Sequence, residues 1–138
     1  MSKRESILLL DDMIISAEKI ITYVEYLDFN TFMCDERTKD AVIRNFEIIG
    51  EAANRLDENF RIQNNNINWK RLRGFRNRIV HDYFGIDFEI VWSIIENDIN
   101  PLISDVRLLV EKLREINRCN HEKFYHLQFI NFNQTFLK

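Results

Sequence analysis

A chain of 138 residues, 46% hydrophobic and 30% charged, with 3 Gly and 1 Pro, fits one compact domain. It excludes a multidomain enzyme, a turn-rich β-sandwich or barrel, and collagen-like or disordered composition. Three glycines with no cluster leave no Gly-rich phosphate loop, and a net charge of −3 by itself points to no anionic partner.

Lys3 and Arg4 precede an apolar run, Ile7 to Leu10, that stops at Asp11 and Asp12, too short for the apolar core of a secretion signal. The same segment opens the first predicted helix. Ile7, Leu10, Ile14, Ala17, Ile21 and Val24 step by three and four, the mark of one apolar stripe on a helix over 3–28. Val42, Phe46, Ile49, Ala53 and Leu56 repeat the pattern and predict an antiparallel neighbour over 35–59. Asn64, Asn65 and Asn66 read as a polar loop, with Asn68 as N-cap of a third helix from Trp69 to about Tyr83.

Gly85 ends that helix and Asp87 caps the next, which carries Val91, Ile94 and Ile95. Leu102, Val106, Leu109, Leu113 and Ile116 resume the stripe beyond Pro101, so the fourth helix is expected to be long and kinked or split there. Four amphipathic segments close most simply into an all-α, antiparallel four-helix bundle over residues 1–118. Residues 119–138, with Phe124, Tyr125, Phe129, Phe132 and Phe136, fit neither period. They are expected to form an aromatic strap on the bundle or on a second chain.

Cys34 and Cys119 have no second Cys or His at metal spacing, so neither a metal site nor a disulfide framework is expected. No cofactor is expected either. The simplest setting is the reducing cytoplasm, and with no run of roughly 20 apolar residues no membrane association is expected.

The charge distribution is uneven. Between Asn59 and His81 there is no acid, while Arg61, Lys70, Arg71, Arg73, Arg76 and Arg78 supply six positive charges, leaving −9 on the remainder. A basic island on an acidic body is the footprint of an anion partner, phosphate being the commonest biological one; the competing reading is a solvated helix face.

Inside the island stands Arg76-Asn77-Arg78-Ile79-Val80-His81-Asp82-Tyr83, an Arg-x4-His-x-Tyr pattern on the third predicted helix. With Ala41-Val42-Ile43-Arg44-Asn45-Phe46-Glu47-Ile48-Ile49-Gly50-Glu51-Ala52-Ala53 on the second and Phe84-Gly85-Ile86-Asp87 before the fourth, the chain resembles the HEPN superfamily, and within it the HepT-like ribonuclease toxins. The resemblance spans about residues 4–117. It implies a ribonuclease toxin of the type VII-like toxin-antitoxin kind, an RNA substrate, and a cognate MntA-like nucleotidyltransferase antitoxin that neutralises it by transferring AMP to Tyr83. A bundle-packing aromatic is the other reading of Tyr83.

The chemistry suits the pattern. RNA carries its own nucleophile, the 2′-hydroxyl, so cleavage needs one group to move protons and one to stabilise charge on phosphorus oxygens, with no metal. His81 and Arg76 are the residue types for those tasks. On an ideal helix they lie about 140° apart, so one helix is a poor site. A homodimer pairing third helices is expected to bring Arg76 of one chain toward His81 of the other.

Lys70, Arg71, Arg73, Asn77 and Arg78 are candidates for RNA contact, although Arg78 can instead pair with Asp82. Glu47 and Glu51, one turn apart, can orient Arg76 or Arg44 or simply solvate the surface. His121 and His126 are read as ordinary surface residues. The competing function is a non-catalytic helical adaptor that docks a nucleotidyltransferase or binds a nucleotide.

Overall fold

The structure, a computed structural model, describes residues 1–136, with the backbone alone at Tyr83 and at 135–136. The described residues are all helical, without a strand: α1 (Lys3–Val24), α2 (Phe29–Cys34), α3 (Glu36–Arg55), α4 (Glu58–Gln63), α5 (Trp69–His81), a 3-10 turn (Tyr83–Gly85), α6 (Phe88–Asn97) and α7 (Ile99–Phe136). Four predicted segments therefore become seven α-helices among the described residues.

Side-chain caps explain the extra boundaries. The Asp28 carboxylate accepts from the Thr31 amide at 2.8 Å and the Thr31 hydroxyl at 2.5 Å, starting α2 where the sequence reading ran the first helix on to residue 28. Asp35 does the same for α3 through Thr38, at 3.0 Å from its amide and 2.6 Å from its hydroxyl. These bonds favour the charged form, so both carboxyls sit below their ordinary values, the Thr side-chain bond first and the amide second. At the other end of α1, Ser2 and Glu5 form a reciprocal capping box. Asn68 and Asp87 cap α5 and α6 through the amides of Arg71 and Glu89.

α1 packs on α3 and α7, α3 on α5, and α6 on α7. Arg107 with Glu18, and Arg114 with Asp11 at 3.1 Å, tie α7 antiparallel to α1. The core gathers Leu10, Met13, Ala17 and Ile20 of α1, Val42, Phe46, Ile49 and Ala53 of α3, and Val91, Ile99 and Val106 of α6 and α7. On α1 the centre of the buried face is Leu10, Met13, Ala17 and Ile20, with Ile7, Ile14 and Ile21 at its edge. Short α2 places Phe32 at 0% exposure against Trp92, ring centroids 5.1 Å apart.

The break in the last predicted helix falls at Asp98, not at Pro101. Pro101 stands in the first turn of α7, where a missing amide costs nothing because the first turn has no intrahelical acceptor for it. From there α7 runs 38 residues, crossing positions 118 and 119 without interruption. Leu113 is its last buried residue, and every residue from 114 to 134 is exposed. The segment expected to be a strap on the bundle or on a second chain is thus, among the described residues, an exposed continuation of α7. Its aromatics defied one period because they lie on two faces. Phe124 and Leu127 continue the core stripe of Leu109, Leu113 and Ile116, whereas Tyr125, Phe129 and Phe132 step along the opposite side; the side chain of Phe136 lies outside the described residues.

Candidate functional site on α5

Arg76 is fixed by α3. Its guanidinium meets the Glu51 carboxylate at 3.1 Å, and its Nη1 donates to Asn77 Oδ1 at 3.1 Å. Its Nε is buried and has no partner among the described residues. The side chain keeps 27% of its surface exposed, so the fork is anchored and still reachable. What lets it lie there is Gly50. A Cβ at that position would overlap Arg76 Cβ and stand 2.9 Å from the Leu72 carbonyl oxygen, so the two helices approach as closely as backbone and Arg76 allow.

Around Arg76 a cleft of about 280 Å³ opens between α1, α3 and α5, lined by Asp12, Arg44, Glu47, Glu51 and Arg55 among others. Glu47 pairs with Arg44 at 3.4 Å. The two glutamates therefore divide the choice the sequence left open, Glu51 taking Arg76 and Glu47 taking Arg44. Lining this cleft, Arg44 and Arg55 add positive charge beside Arg76 and lie outside the basic island seen in the sequence.

His81 is the last residue of α5 and is exposed, with no side-chain partner among the described residues. It ends a stripe of exposed residues, Lys70, Gly74, Asn77 and His81, spaced four, three and four. A Cβ at Gly74 would meet nothing within 4 Å. Val80, next to His81 in the chain, and Phe84, three residues beyond it, are both exposed apolar side chains. Tyr83 follows at the start of the 3-10 turn; its side chain lies outside the described residues.

The island is less positive than its composition. Arg61 turns inward, where its guanidinium caps α3 by donating to the carbonyls of Ala53 at 3.2 Å and of Leu56. Arg71 pairs with Asp98 at 2.9 Å and Arg73 donates to Asn54 Oδ1 at 3.0 Å. Lys70 and Arg78 are exposed without a partner among the described residues. The pairing considered between Arg78 and Asp82 does not form.

The sequence reading missed Gly50 and Asn45. The Asn45 amide donates to the Ala41 carbonyl at 2.8 Å, and its Oδ1 is buried without a partner among the described residues. A glycine inside an otherwise strong helical pattern is the signal that could have pointed to Gly50. Among the described residues no three His, Cys, Asp or Glu side chains converge to hold a metal, and no helix is long and apolar enough to cross a membrane. Cys34 and Cys119 are exposed free thiols.

The family model "Ribonuclease HepT-like" matches residues 13–109, from α1 through the packed half of α7. A candidate RNase of Methanocaldococcus jannaschii is 37% identical over 109 residues, covering 79% of this chain and all of that protein. A protein of Caldanaerobacter subterraneus, also carried as a candidate RNase, is 32% identical over 103 residues, 75% of this chain and 92% of its own length. A probable ribonuclease HepT of Thermococcus cleftensis is 34% identical over 93 residues, 67% and 84% respectively. No solved structure matches. With the Arg76 anchor, the bare His81 stripe and a family match over most of its length, the chain belongs to the HepT-like ribonuclease family, a family of RNA-cleaving enzymes.

Proposed function

We propose that the protein is a metal-independent endoribonuclease toxin whose site is completed between two copies of the chain, Arg76 and His81 being the catalytic residues. The observation that carries this reading is the division of α5. Arg76 is anchored toward α3, whereas His81 stands on an exposed stripe with Gly74 at its middle. An exposed helical glycine costs about 1 kcal/mol relative to alanine, and no contact within the chain uses the space. A second α5 crossing at Gly74 uses it, covers Val80 and Phe84, and sets the two His81 side chains near one phosphate.

In the reaction, His81 of one copy takes the proton of the RNA 2′-hydroxyl, and the 2′-oxygen attacks the adjacent phosphorus. The bond from phosphorus to the 5′-oxygen breaks, and His81 of the other copy protonates the leaving oxygen. A 2′,3′-cyclic phosphate and a 5′-hydroxyl result. Arg76 stabilises the charge that grows on the phosphoryl oxygens through the exposed part of its fork. Lys70, Arg71, Arg73, Asn77 and Arg78 hold the RNA backbone without specifying sequence.

Regulation follows from the same position. A cognate MntA-like nucleotidyltransferase transfers AMP from ATP to Tyr83: the phenol oxygen attacks the α-phosphorus and pyrophosphate leaves. The added charge and bulk two residues beyond His81 repel RNA. The ribonuclease part of the reading is supported by the kinship with RNases and by the Arg76 and His81 geometry, and the AMP transfer by the Arg-x4-His-x-Tyr pattern alone.

Incubation of the purified protein with RNA in EDTA tests the activity, with cyclic-phosphate ends expected and their loss in His81→Ala. Light scattering tests the assembly: Gly74→Trp is expected to yield a monomer without activity, and a monomeric wild type at full specific activity overturns the shared site. Intact-mass analysis with the antitoxin and ATP is expected to add AMP to the wild type but not to Tyr83→Phe. The adaptor reading prevails if RNA stays intact while the nucleotidyltransferase binds.

A further inference from the structure

A cavity of about 230 Å³ lies beside α5 on the side away from the Arg76 cleft, between α3, α5 and the start of α7. Its floor includes Phe46, Leu72, Phe75 and Leu102. Phe75 meets Phe46 edge-on, centroids 5.1 Å apart and planes at 90°, so the two rings form an aromatic corner. Its rim is polar, with Asn66, Arg71, Asp98 and Asp105. Arg71 and Asp98 satisfy each other there at 2.9 Å, whereas Asp105 has no partner among the described residues. A second, smaller hollow, lined by Phe75, Arg78 and Asp82, continues the first along α5 toward its C-terminal end. Arg71 and Arg78 stand two turns apart on the flank of α5 between these hollows and the His81 stripe.

We propose that this cavity is a nucleobase subsite: it takes one splayed base of the RNA, a few nucleotides from the scissile phosphate, and favours bases that carry an exocyclic amino group. The inference rests on the endoribonuclease reading above. Single-stranded RNA is read by unstacking a base onto aromatic or guanidinium planes and bonding its edge, and the partly exposed Phe75, backed edge-on by buried Phe46, together with Arg71 at the rim, supplies such planes. The volume is below the 300–1,000 Å³ typical of drug-sized ligands and suits a flat, single-ring or double-ring group. Asp105 accepts from an amino group on adenine, cytosine or guanine, as a carboxylate accepts from cytosine N4; uracil offers no such donor. RNA is favoured over a protein segment by Lys70 and Arg78, two exposed cations without a partner among the described residues, which stand on α5 between the cavity and His81. Arg71 lies about 15 Å along the axis from His81, which places the subsite outside the scissile dinucleotide.

Cleavage of random-sequence single-stranded RNA, read by sequencing the product ends, tests the subsite. The wild type is expected to disfavour uracil at one position outside the scissile dinucleotide by about tenfold, the scale of one stacked and bonded base. Leu102→Trp, which fills the cavity, and Asp105→Asn, which keeps its shape, are both expected to flatten that bias while total cleavage persists. Wild-type cleavage with no such bias, or a bias retained in both variants, overturns the subsite and leaves the ribonuclease reading standing. If the wild type cuts no RNA, the ribonuclease reading fails and NMR titration decides the cavity by itself. Octaadenylate is expected to shift the signals of Leu72, Phe75 and Leu102, and octauridylate to do so at least fivefold more weakly. Equal shifts from both, shifts from neither, or shifts produced by the nucleotidyltransferase alone overturn the proposal.

Discussion

Arg76 and His81 stand on one helix five residues apart, yet the chain treats them in opposite ways. Arg76 is held by Glu51, by Asn77 and by the close approach at Gly50; His81 ends the helix, exposed and without a side-chain partner among the described residues. A charged fork must be oriented before the phosphate arrives, because orientation supplied in advance does not have to be drawn from binding. A proton carrier needs access instead. On the proposed mechanism, one chain builds the half of the site that benefits from rigidity and leaves exposed the half that a second copy would complete.

The largest effect that would break this contrast is on catalysis. Arg76→Ala and His81→Ala are each expected to lower RNA cleavage by about 10²- to 10⁴-fold. Melting temperature should fall in Arg76→Ala, which leaves Glu51 unpaired, and stay unchanged in His81→Ala. Near-wild-type activity in either variant, assayed in EDTA, removes that residue from the chemistry.

Gly50→Leu comes next, since the added side chain must displace α5 from α3. Overpacking of this kind costs about 1–3 kcal/mol, and denaturant unfolding should register it together with a loss of activity. At Gly74 a Cβ meets nothing within 4 Å, so Gly74→Leu should leave the thermal stability of the monomer unimpaired while the proposed dimer is lost. A Gly50 variant with unchanged stability would show that the close approach is not required.

Glu51→Ala sharpens the contrast further. A half-exposed ion pair contributes about 0–1 kcal/mol, so the expected loss in kcat/KM is at most about fivefold, and Glu51→Gln, which keeps an acceptor for Arg76, should recover part of it. An equal loss in both would mean that the charge of Glu51, and not its hold on Arg76, is what matters.

The smallest effect is far from the site. Bonds from the Thr38 hydroxyl and amide hold the Asp35 carboxyl below its ordinary 3.8, so it stabilises the fold at neutral pH and that contribution disappears as pH falls through its lowered value. Asp35→Asn should therefore melt earlier than the wild type at pH 7, and the gap should narrow below about pH 4, with cleavage unaffected. A gap that widens in acid would reverse the sign and contradict the cap.

What could be read from the sequence was local. Asn68 before Trp69 and Asp87 before Phe88 announced two helix starts, because a capping side chain and the amide it receives are neighbours in the chain. The Arg-x4-His spacing likewise singled out the two proposed catalytic residues, and the step from Glu47 to Glu51 offered two partners for two arginines. The rest depended on distant pairings. Gly50 matters only because Arg76 lies over it, Arg61 leaves the basic surface only because the end of α3 needs donors, and Phe32 is a core residue only because Trp92 comes to it from α6. Pro101 drew attention that belonged to Asp98, since a proline in a first turn leaves the helix intact.

The long, unsupported half of α7 divides the molecule into two melting units. Helices draw most of their stability from packing, and from 114 to 134 no residue of α7 is buried; Asn, Phe, Tyr and His, frequent there, are mediocre helix formers. In a lone chain its amides should exchange with solvent orders of magnitude faster than those of Ile103 or Val106, and far-ultraviolet ellipticity should decline ahead of the cooperative transition. Once unwound, 124–132, with six aromatic or branched residues and no formal charge, has the composition of a cross-β segment. Concentration, more than temperature, will then set how long preparations of this protein keep.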